Sequence, residues 1–305
     1  MQPTDRRTFL KAAGATLAAS ALTASSASAQ EPKSRWKKAF MLGAAKKGPV
    51  LGHFQLLKEA GFEGVELLSP NEFDLDEVLK ARDETGLVIH GISGSVHWDA
   101  PLSSPDPAVV EKGLAAIRKS ILDCKAYGGT TVLLVPAVVR PDVSHREAYA
   151  RSQENIRKVI PDAQAVGIKI AIEEVWNKFL LSAPEFVRYV DEFKTPTVGA
   201  YFDIGNVVEF GYPQEWIREL GSRILKIHVK EYAKAKRFSY PLGEGEIDWP
   251  AVTRALIDVG YDGWITAEVP YGDLDALKDV VRRMDKILSA PSPKATAVEP
   301  DAKTR

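Results

Sequence analysis

Cysteine is nearly absent from this chain of 305 residues. Because Cys124 is the only one, neither a disulfide nor a thiolate metal cluster can form within the chain. The formal net charge is −1 at pH 7, so nothing supplies the basic face that phosphate contacts require, and we expect no nucleic-acid partner. No segment approaches about 18 uninterrupted apolar residues, so we expect no membrane span in the mature protein.

The N-terminus carries an export signature. Residues 5–11 read D-R-R-T-F-L-K, and an apolar stretch from Ala12 to Leu22 follows them. A small-residue cleavage site, Ala27-Ser28-Ala29, comes next. We therefore predict a twin-arginine signal peptide over residues 1–29 and a periplasmic or otherwise exported protein. At the other end, residues 291–305 combine prolines, small residues and charges, which predicts a disordered tail.

The remaining residues, 35–290, alternate short apolar runs with amphipathic segments such as Glu111–Tyr127 and Arg146–Val166. Strand followed by helix, eight times, indicates parallel strands. No G-x-G-x-x-G follows the first run, and the length is typical of a (β/α)₈ barrel, so we predict a single-domain TIM barrel rather than an open doubly wound sheet. The predicted strands are Ala39–Ala44, Gly64–Leu68, Leu87–Ser93, Thr131–Pro136, Ile168–Glu174, Val198–Ile204, Leu225–Lys230 and Trp264–Val269.

Four consecutive predicted strands end in a carboxylate or an imidazole: Glu173-Glu174, Asp203, His228 and Glu268. The C-terminal ends of barrel strands meet at one face. Three carboxylates gathered there repel one another unless a cation joins them, and with one histidine they suit Mn²⁺, Co²⁺, Mg²⁺ or Zn²⁺. The alternation places Glu174 in phase with the isoleucines of its strand and Glu173 out of phase, but the run alone does not tell which phase faces the lumen.

Four motifs at these strand ends resemble those of the xylose isomerase-like sugar isomerases and epimerases. Glu174 to Phe179 resembles E-x-x-N-[RK]-[FY], and Asp203 to Asn206 resembles D-x-G-[NH]. Ile227 to Glu231 resembles I-H-x-K-[DE], and Trp264 to Glu268 resembles W-x-x-x-E. The endonuclease-four-like branch of the same fold needs a histidine-rich zinc site, which five scattered histidines cannot build.

The resemblance implies one divalent cation held by Glu174, Asp203, His228 and Glu268, and it selects Glu174 over Glu173. It also implies that Glu174 and Glu268 transfer protons. A cation bound to adjacent oxygens of a ketose raises C–H acidity and stabilises an enediolate. We therefore predict a metal-dependent sugar isomerase or epimerase that acts on a ketose or sugar derivative.

Substrate contacts are expected from polar and aromatic residues near these motifs. Asn206 stands where several epimerases carry a histidine, and an arginine that follows the metal-binding histidine in those enzymes has no clear counterpart here. The loop Gly243–Trp249 contains three acidic residues, which disfavours a phosphate and predicts an unphosphorylated sugar. The predicted substrate-binding residues are His97, Trp98, Trp176, Asn177, Asn206 and Lys230.

Two other functions fit the same sequence. Loss of a β-substituent after proton abstraction would make the protein a lyase acting on a 3-keto-glycoside. The second alternative is a periplasmic protein that binds a sugar without catalysing a reaction. The sequence is compatible with a homo-oligomer and does not define one.

Overall fold

The computed structural model describes residues 34–43 and 48–289. These residues belong to one compact unit. The predicted signal peptide and the predicted disordered tail lie outside the described residues. Among the helices in the described ranges, none has the length and apolar character that crossing a bilayer requires.

The predicted TIM barrel is confirmed. Eight parallel strands pair in sequence order, and β8 pairs with β1 to close the barrel. Each observed strand overlaps its predicted run, with boundaries that differ by at most two residues. The strands are β1 (Lys37–Leu42), β2 (Gly64–Ser69), β3 (Val88–Gly94), β4 (Thr131–Leu134), β5 (Lys169–Glu173), β6 (Val198–Asp203), β7 (Ile224–Val229) and β8 (Trp264–Ala267).

Helices cover the outside of the barrel, and several end at a glycine as the sequence predicts. Gly128 and Gly167 have φ angles of 86° and 73°, a left-handed conformation that costs glycine little and lets the chain turn towards the next strand. The helices of the described ranges are α1 (Val50–Ala60), α2 (Leu75–Thr85), α3 (Pro107–Tyr127), α4 (His145–Arg157), α5 (Ile160–Val166), α6 (Ala183–Asp191), α7 (Pro213–Leu220), α8 (Trp249–Asp258) and α9 (Leu274–Ile287).

The amphipathic segment Arg146–Val166 forms two helices rather than one. The break lies between Arg157 and Ile160, directly before Pro161. Proline has no backbone N–H to continue the hydrogen-bond ladder, and its ring clashes with the preceding turn, but it is well placed in the first turn of a new helix.

Two packing environments lie on either side of the strands. Ile170 and Ile172 belong to the large outer core between strands and helices. Ala171 and Tyr201 belong to a small separate cluster. This cluster lies in the lumen, because the Tyr201 hydroxyl on β6 donates to Glu66 on β2, on the opposite side of the barrel. Residues in phase with Ala171 and Tyr201 therefore face inward.

Candidate metal centre

Four side chains from consecutive strands meet at the C-terminal end of the barrel. Glu173 ends β5, Asp203 ends β6, His228 lies near the end of β7, and Glu268 directly follows β8. One ligand atom from each lies within 4.8 Å of the others. The His228 Nδ1 atom is 3.0 Å from Glu173 Oε1, 3.5 Å from Glu268 Oε2 and 4.0 Å from Asp203 Oδ2. We call this group the carboxylate–histidine cluster.

Glu174, which the motif resemblance selected as the metal ligand, lies outside this cluster. Ala171 faces the lumen and Ile172 the outer core, so alternation gives the lumen phase to Glu173 and the outer phase to Glu174. Glu174 Oε1 accepts a hydrogen bond from the backbone N–H of Asp203 at 2.9 Å. The structure therefore corrects the ligand position implied by the resemblance: the side chain that joins the cluster is Glu173, not Glu174.

The His228 ring is held from both of its nitrogens. Nδ1 faces the cluster, whereas Nε2 lies 3.2 Å from both carboxylate oxygens of Glu66. Glu66 is fully buried in the lumen and also accepts the hydroxyl of Tyr201. A carboxylate that accepts the outer N–H of a histidine fixes its orientation and leaves the other nitrogen free to bind a metal. Sequence analysis missed Glu66, although a charged residue within the apolar run Gly64–Leu68 was a visible signal.

The ammonium group of Lys230 lies against the carboxylates of the cluster. Its Nζ lies 2.7 Å from Glu268 Oε2 and 3.1 Å from Asp203 Oδ2. Burial opposes the charge of Lys230, but Asp203 and Glu268 outweigh burial and raise its pKa. Lys230 is thus held against two carboxylates of the cluster by ion pairs.

This environment shifts the pKa values of the three carboxylates in different directions. Burial raises the pKa of Asp203 to about 7, although Lys230 acts to lower it. Burial also raises the pKa of Glu173. Burial opposes ionisation of Glu268 too, but Lys230 and His228 outweigh burial and lower the pKa of Glu268 to about 2. Without an added cation, the cluster therefore holds protons on part of its acidic groups near neutral pH.

The cluster fits a divalent cation. Its donors are three carboxylates and one imidazole, a hard-to-borderline set that suits Mn²⁺, Co²⁺, Mg²⁺ or Zn²⁺. Asp203 Oδ1 accepts the backbone N–H of Asn206 at 2.8 Å. Asp203 Oδ2 is buried and lies 3.1 Å from the ammonium of Lys230 and 4.0 Å from His228 Nδ1, so this oxygen points into the cluster.

Two predicted substrate contacts have structural partners instead. The Asn177 amide donates to the carbonyl of Ala137 at 2.6 Å and accepts from the backbone N–H of Phe179 at 3.0 Å. The Asn206 amide donates to the carbonyl of Glu174 at 2.9 Å. Both asparagines are buried and fasten the loops that follow the strands. Both amides thus bind backbone groups of these loops, and their contact with a substrate stays a prediction.

His97 and Trp98 lie beyond β3. The two rings are 5.1 Å apart, and His97 Nδ1 lies 3.2 Å from the Gly94 carbonyl. Burial lowers the pKa of His97, whereas the charge of Glu268 raises it, so His97 lies within electrostatic reach of the cluster. Trp98 is 48 % exposed and lies on the rim.

A cleft opens beside the cluster, with a volume of about 410 Å³. Trp176, the last of the six predicted substrate contacts, lies in its wall, and its indole N–H donates to the carbonyl of Asn206 at 2.9 Å. We call this cavity the aromatic cleft. Its lining consists of Trp176, Lys178, Leu181, Glu209, Phe210, Tyr232, Lys234 and Arg237.

The acidic loop Gly243–Trp249 is held by Glu231, the last residue of the I-H-x-K-E motif. The buried carboxylate of Glu231 accepts from the backbone N–H of Gly243 at 2.6 Å and from the indole N–H of Trp249 at 2.9 Å. A phosphate-binding loop needs free backbone N–H groups. In this loop, the Gly243 N–H is already bound to a carboxylate.

The chain matches the family model described as "Xylose isomerase-like TIM barrel" over residues 54–288. It is 27% identical over 256 residues to L-ribulose-5-phosphate 3-epimerase UlaE of Escherichia coli O1:K1 / APEC, a match that covers 77% of this chain and 90% of the relative.

Solved structures share the fold at lower identity. An L-ribulose 3-epimerase has a TM-score of 0.71 at 20% identity, covering 83% of this chain and 94% of that one. The 3-keto-D-glucoside 4-epimerase YcjR of E. coli has a TM-score of 0.69 at 18% identity, covering 81% of this chain and 97% of that one.

Proposed function

Because this chain belongs to the xylose isomerase-like TIM barrel family, we propose that it is a metal-dependent sugar isomerase or epimerase that moves a proton on the carbon next to a carbonyl. One observation carries the proposal: the carboxylates of Glu173 and Glu268 both lie within 3.5 Å of His228 Nδ1. They come from β5 and the end of β8, which are not neighbouring strands of the barrel. The names of the relatives, all sugar epimerases, support the same reaction class.

Glu173, Asp203, His228 and Glu268 are the residues that would hold the cation, which supplies Lewis acidity to a substrate carbonyl when bound. The protein's own groups move the proton. One glutamate removes it from one face of the substrate carbon, and the other returns it to the opposite face in an epimerisation. Lys230 would donate hydrogen bonds to substrate oxygens, and its ammonium 2.7 Å from Glu268 Oε2 supports this role.

We propose an unphosphorylated sugar or sugar derivative as the substrate. The loop Gly243–Trp249 supports this assignment, because its acidic groups repel phosphate and the backbone N–H of Gly243 already donates to Glu231.

We further propose export by the twin-arginine route, on the evidence of residues 1–29. A fusion of residues 1–35 to a reporter that folds before transport tests this. Loss of export when Arg6 and Arg7 are both replaced by lysine supports it, and unchanged export contradicts it.

The reaction is tested by deuterium exchange. Purified protein loaded with Mn²⁺ is incubated in D₂O with a panel of free ketoses and 3-keto-glycosides, and the sugars are analysed by NMR. We expect deuterium at the carbon next to the carbonyl together with the epimer or the isomeric aldose. Glu173→Gln and Glu268→Gln should each lose exchange by about 100-fold or more. If both variants exchange as fast as the parent, the proposed proton transfer is wrong.

The same experiment distinguishes the two other functions. Release of a free aglycone together with an unsaturated sugar identifies a lyase, in which proton abstraction is followed by loss of the β-substituent. Saturable sugar binding without any deuterium incorporation identifies a binding protein. Either result excludes the isomerase assignment while retaining the fold and the cluster.

A further inference from the structure

The aromatic cleft is connected to the carboxylate–histidine cluster through side-chain contacts of Phe238 with Trp176 and Lys230. Phe238 lies at the junction: Lys230 Nζ is 5.1 Å from the centre of its ring, and the Trp176 ring is 5.0 Å away. Lys230 in turn pairs with Glu268 at 2.7 Å. A sugar bound beside Lys230 would therefore have the aromatic cleft close to it.

The cleft presents aromatic rings that are fixed in position. Trp176 is held through its indole N–H, and Tyr232 through a hydrogen bond from its hydroxyl to Glu209. Phe210 lies 6.4 Å from Trp176 in an edge-to-face arrangement and is 41 % exposed. Ring faces that stay accessible in a cavity suit a planar apolar ligand, because stacking then needs little reordering of the protein.

The cleft is also cationic. Lys178, Lys234 and Arg237 line it, and among residues 34–43 and 48–289 their side chains form no ion pair with a carboxylate. Glu209 is the single acidic residue of the lining, and its carboxylate accepts the Tyr232 hydroxyl. The Arg237 guanidinium lies 5.1 Å from the centre of the Trp176 ring, so a positive charge is fixed over an aromatic face.

Two of these cations occupy unfavourable backbone positions. Lys178 and Arg237 have φ angles of 63° and 49°, in the left-handed region that residues other than glycine seldom adopt. Such conformations persist where the surrounding structure requires them, and they are concentrated at ligand-binding sites. Here they bring positive side chains to the walls of the cleft.

We propose that the aromatic cleft binds a planar aromatic substituent that carries a negative charge, the aglycone of an acidic aryl glycoside whose sugar is bound at the cluster. A neutral sugar would not need three cations without acidic partners, and a bare anion would not need the ring faces of Trp176 and Phe210. The placement of the sugar rests on the proposed function, whereas the preference for an aryl anion belongs to the cleft itself.

The test compares three probes by isothermal titration with Mn²⁺-loaded protein: methyl, phenyl and 4-carboxyphenyl β-D-glucopyranoside. We expect affinity to rise in that order, by at least about tenfold from the methyl to the carboxyphenyl compound. Phe210→Ser should reduce the difference in affinity between each aryl glucoside and the methyl glucoside. Arg237→Gln should make the affinity for the carboxyphenyl glucoside equal to that for the phenyl glucoside. Tyr212→Ser is the control, because Tyr212 is 72 % exposed and is not part of the lining.

Equal affinity for the three glucosides, or no measurable binding of any, overturns the proposal. The proposal is also overturned if a ketose phosphate binds as tightly as the carboxyphenyl compound and shows the following pattern. Its affinity falls in Arg237→Gln but is unchanged in Phe210→Ser, which would assign the cleft to phosphate. Deuterium exchange on the parent protein separates this outcome from the proposed function. Exchange without aryl preference refutes only the cleft assignment, and aryl preference without exchange refutes only the catalytic one.

Discussion

The adjacent residues Glu173 and Glu174 allow a direct test of the metal centre. Glu173→Gln removes one of three carboxylates from the cluster and replaces the oxygen that lies 3.0 Å from His228 Nδ1. Glu174→Gln changes a side chain of nearly the same size one residue away. The side-chain carbonyl of the new glutamine can still accept the hydrogen bond from the backbone N–H of Asp203, which Glu174 Oε1 accepts at 2.9 Å in the parent protein. The two variants therefore alter the same segment but different sides of the strand.

The expected difference can be given a magnitude. Loss of a residue that only supports a metal ligand typically lowers metal affinity about 10- to 100-fold, so loss of a charged ligand should lower it by about 100-fold or more. A factor of 100 corresponds to about 2.7 kcal/mol. This is less than the attraction of about 4 kcal/mol between two unit charges 4 Å apart at an effective dielectric constant of 20. Glu174→Gln should change affinity by less than about threefold, because burial raises the pKa of Glu174 and a neutral carboxyl resembles an amide.

The assay is calorimetric titration of metal-free protein with Mn²⁺. Thermal unfolding of each metal-free variant confirms that both are folded. A large loss of affinity in Glu174→Gln with parent-like affinity in Glu173→Gln would show that Glu174 is the ligand. The inward direction assigned to Glu173 would then be wrong.

Three further predictions follow from contacts in the barrel. Glu66→Gln should lower Mn²⁺ affinity about 10- to 100-fold, because the carboxylate 3.2 Å from His228 Nε2 loses its charge; unchanged affinity in the titration contradicts this role. Mn²⁺ affinity should fall by at least about tenfold per unit as the pH falls below 7, because Asp203, whose pKa is raised to about 7, must release its proton to bind metal; a flat profile between pH 6 and 8 is the opposing result. Gly64→Ala should destabilise the protein by about 1–3 kcal/mol, since an added Cβ would lie 2.5 Å from Trp264 Cζ3 and 2.8 Å from the Val88 carbonyl; an unchanged melting temperature refutes this.

The fold was predictable because its signals are local and repeated. Each apolar run followed by an amphipathic segment specifies one strand and one helix, and left-handed glycines such as Gly128 mark where a helix ends. The convergence of Asp203, His228 and Glu268 was predictable for a related reason. In a parallel barrel, residues at the ends of successive strands must share one rim.

The choice within the Glu173-Glu174 pair was not predictable from spacing, because the motif fixes the distance to Asn177 but not the side of the strand. The small residue Ala171, which leaves room for Tyr201 in the lumen, is the feature that marks the inward phase. Glu66 was missed because its importance depends on an opposite strand, and no local pattern reports that Tyr201 and His228 lie across from it. Asn177 is a motif residue, but its side-chain amide donates to the backbone carbonyl of Ala137. The two residues are far apart in the sequence and become neighbours only in the folded protein.

The paired glutamates at the end of β5 also affect how the barrel can misfold. A slip of β5 by one residue exchanges the inward and outward faces of the strand, so Glu174 would enter the lumen in place of Glu173. A carboxylate would still reach the metal, and charge alone would barely distinguish the two registers. What distinguishes them is volume: the slip would also turn Ile170 and Ile172 towards Tyr201, into space now occupied by Ala171. The packing of Ala171 with Tyr201, rather than the charge of either glutamate, therefore selects the register of β5.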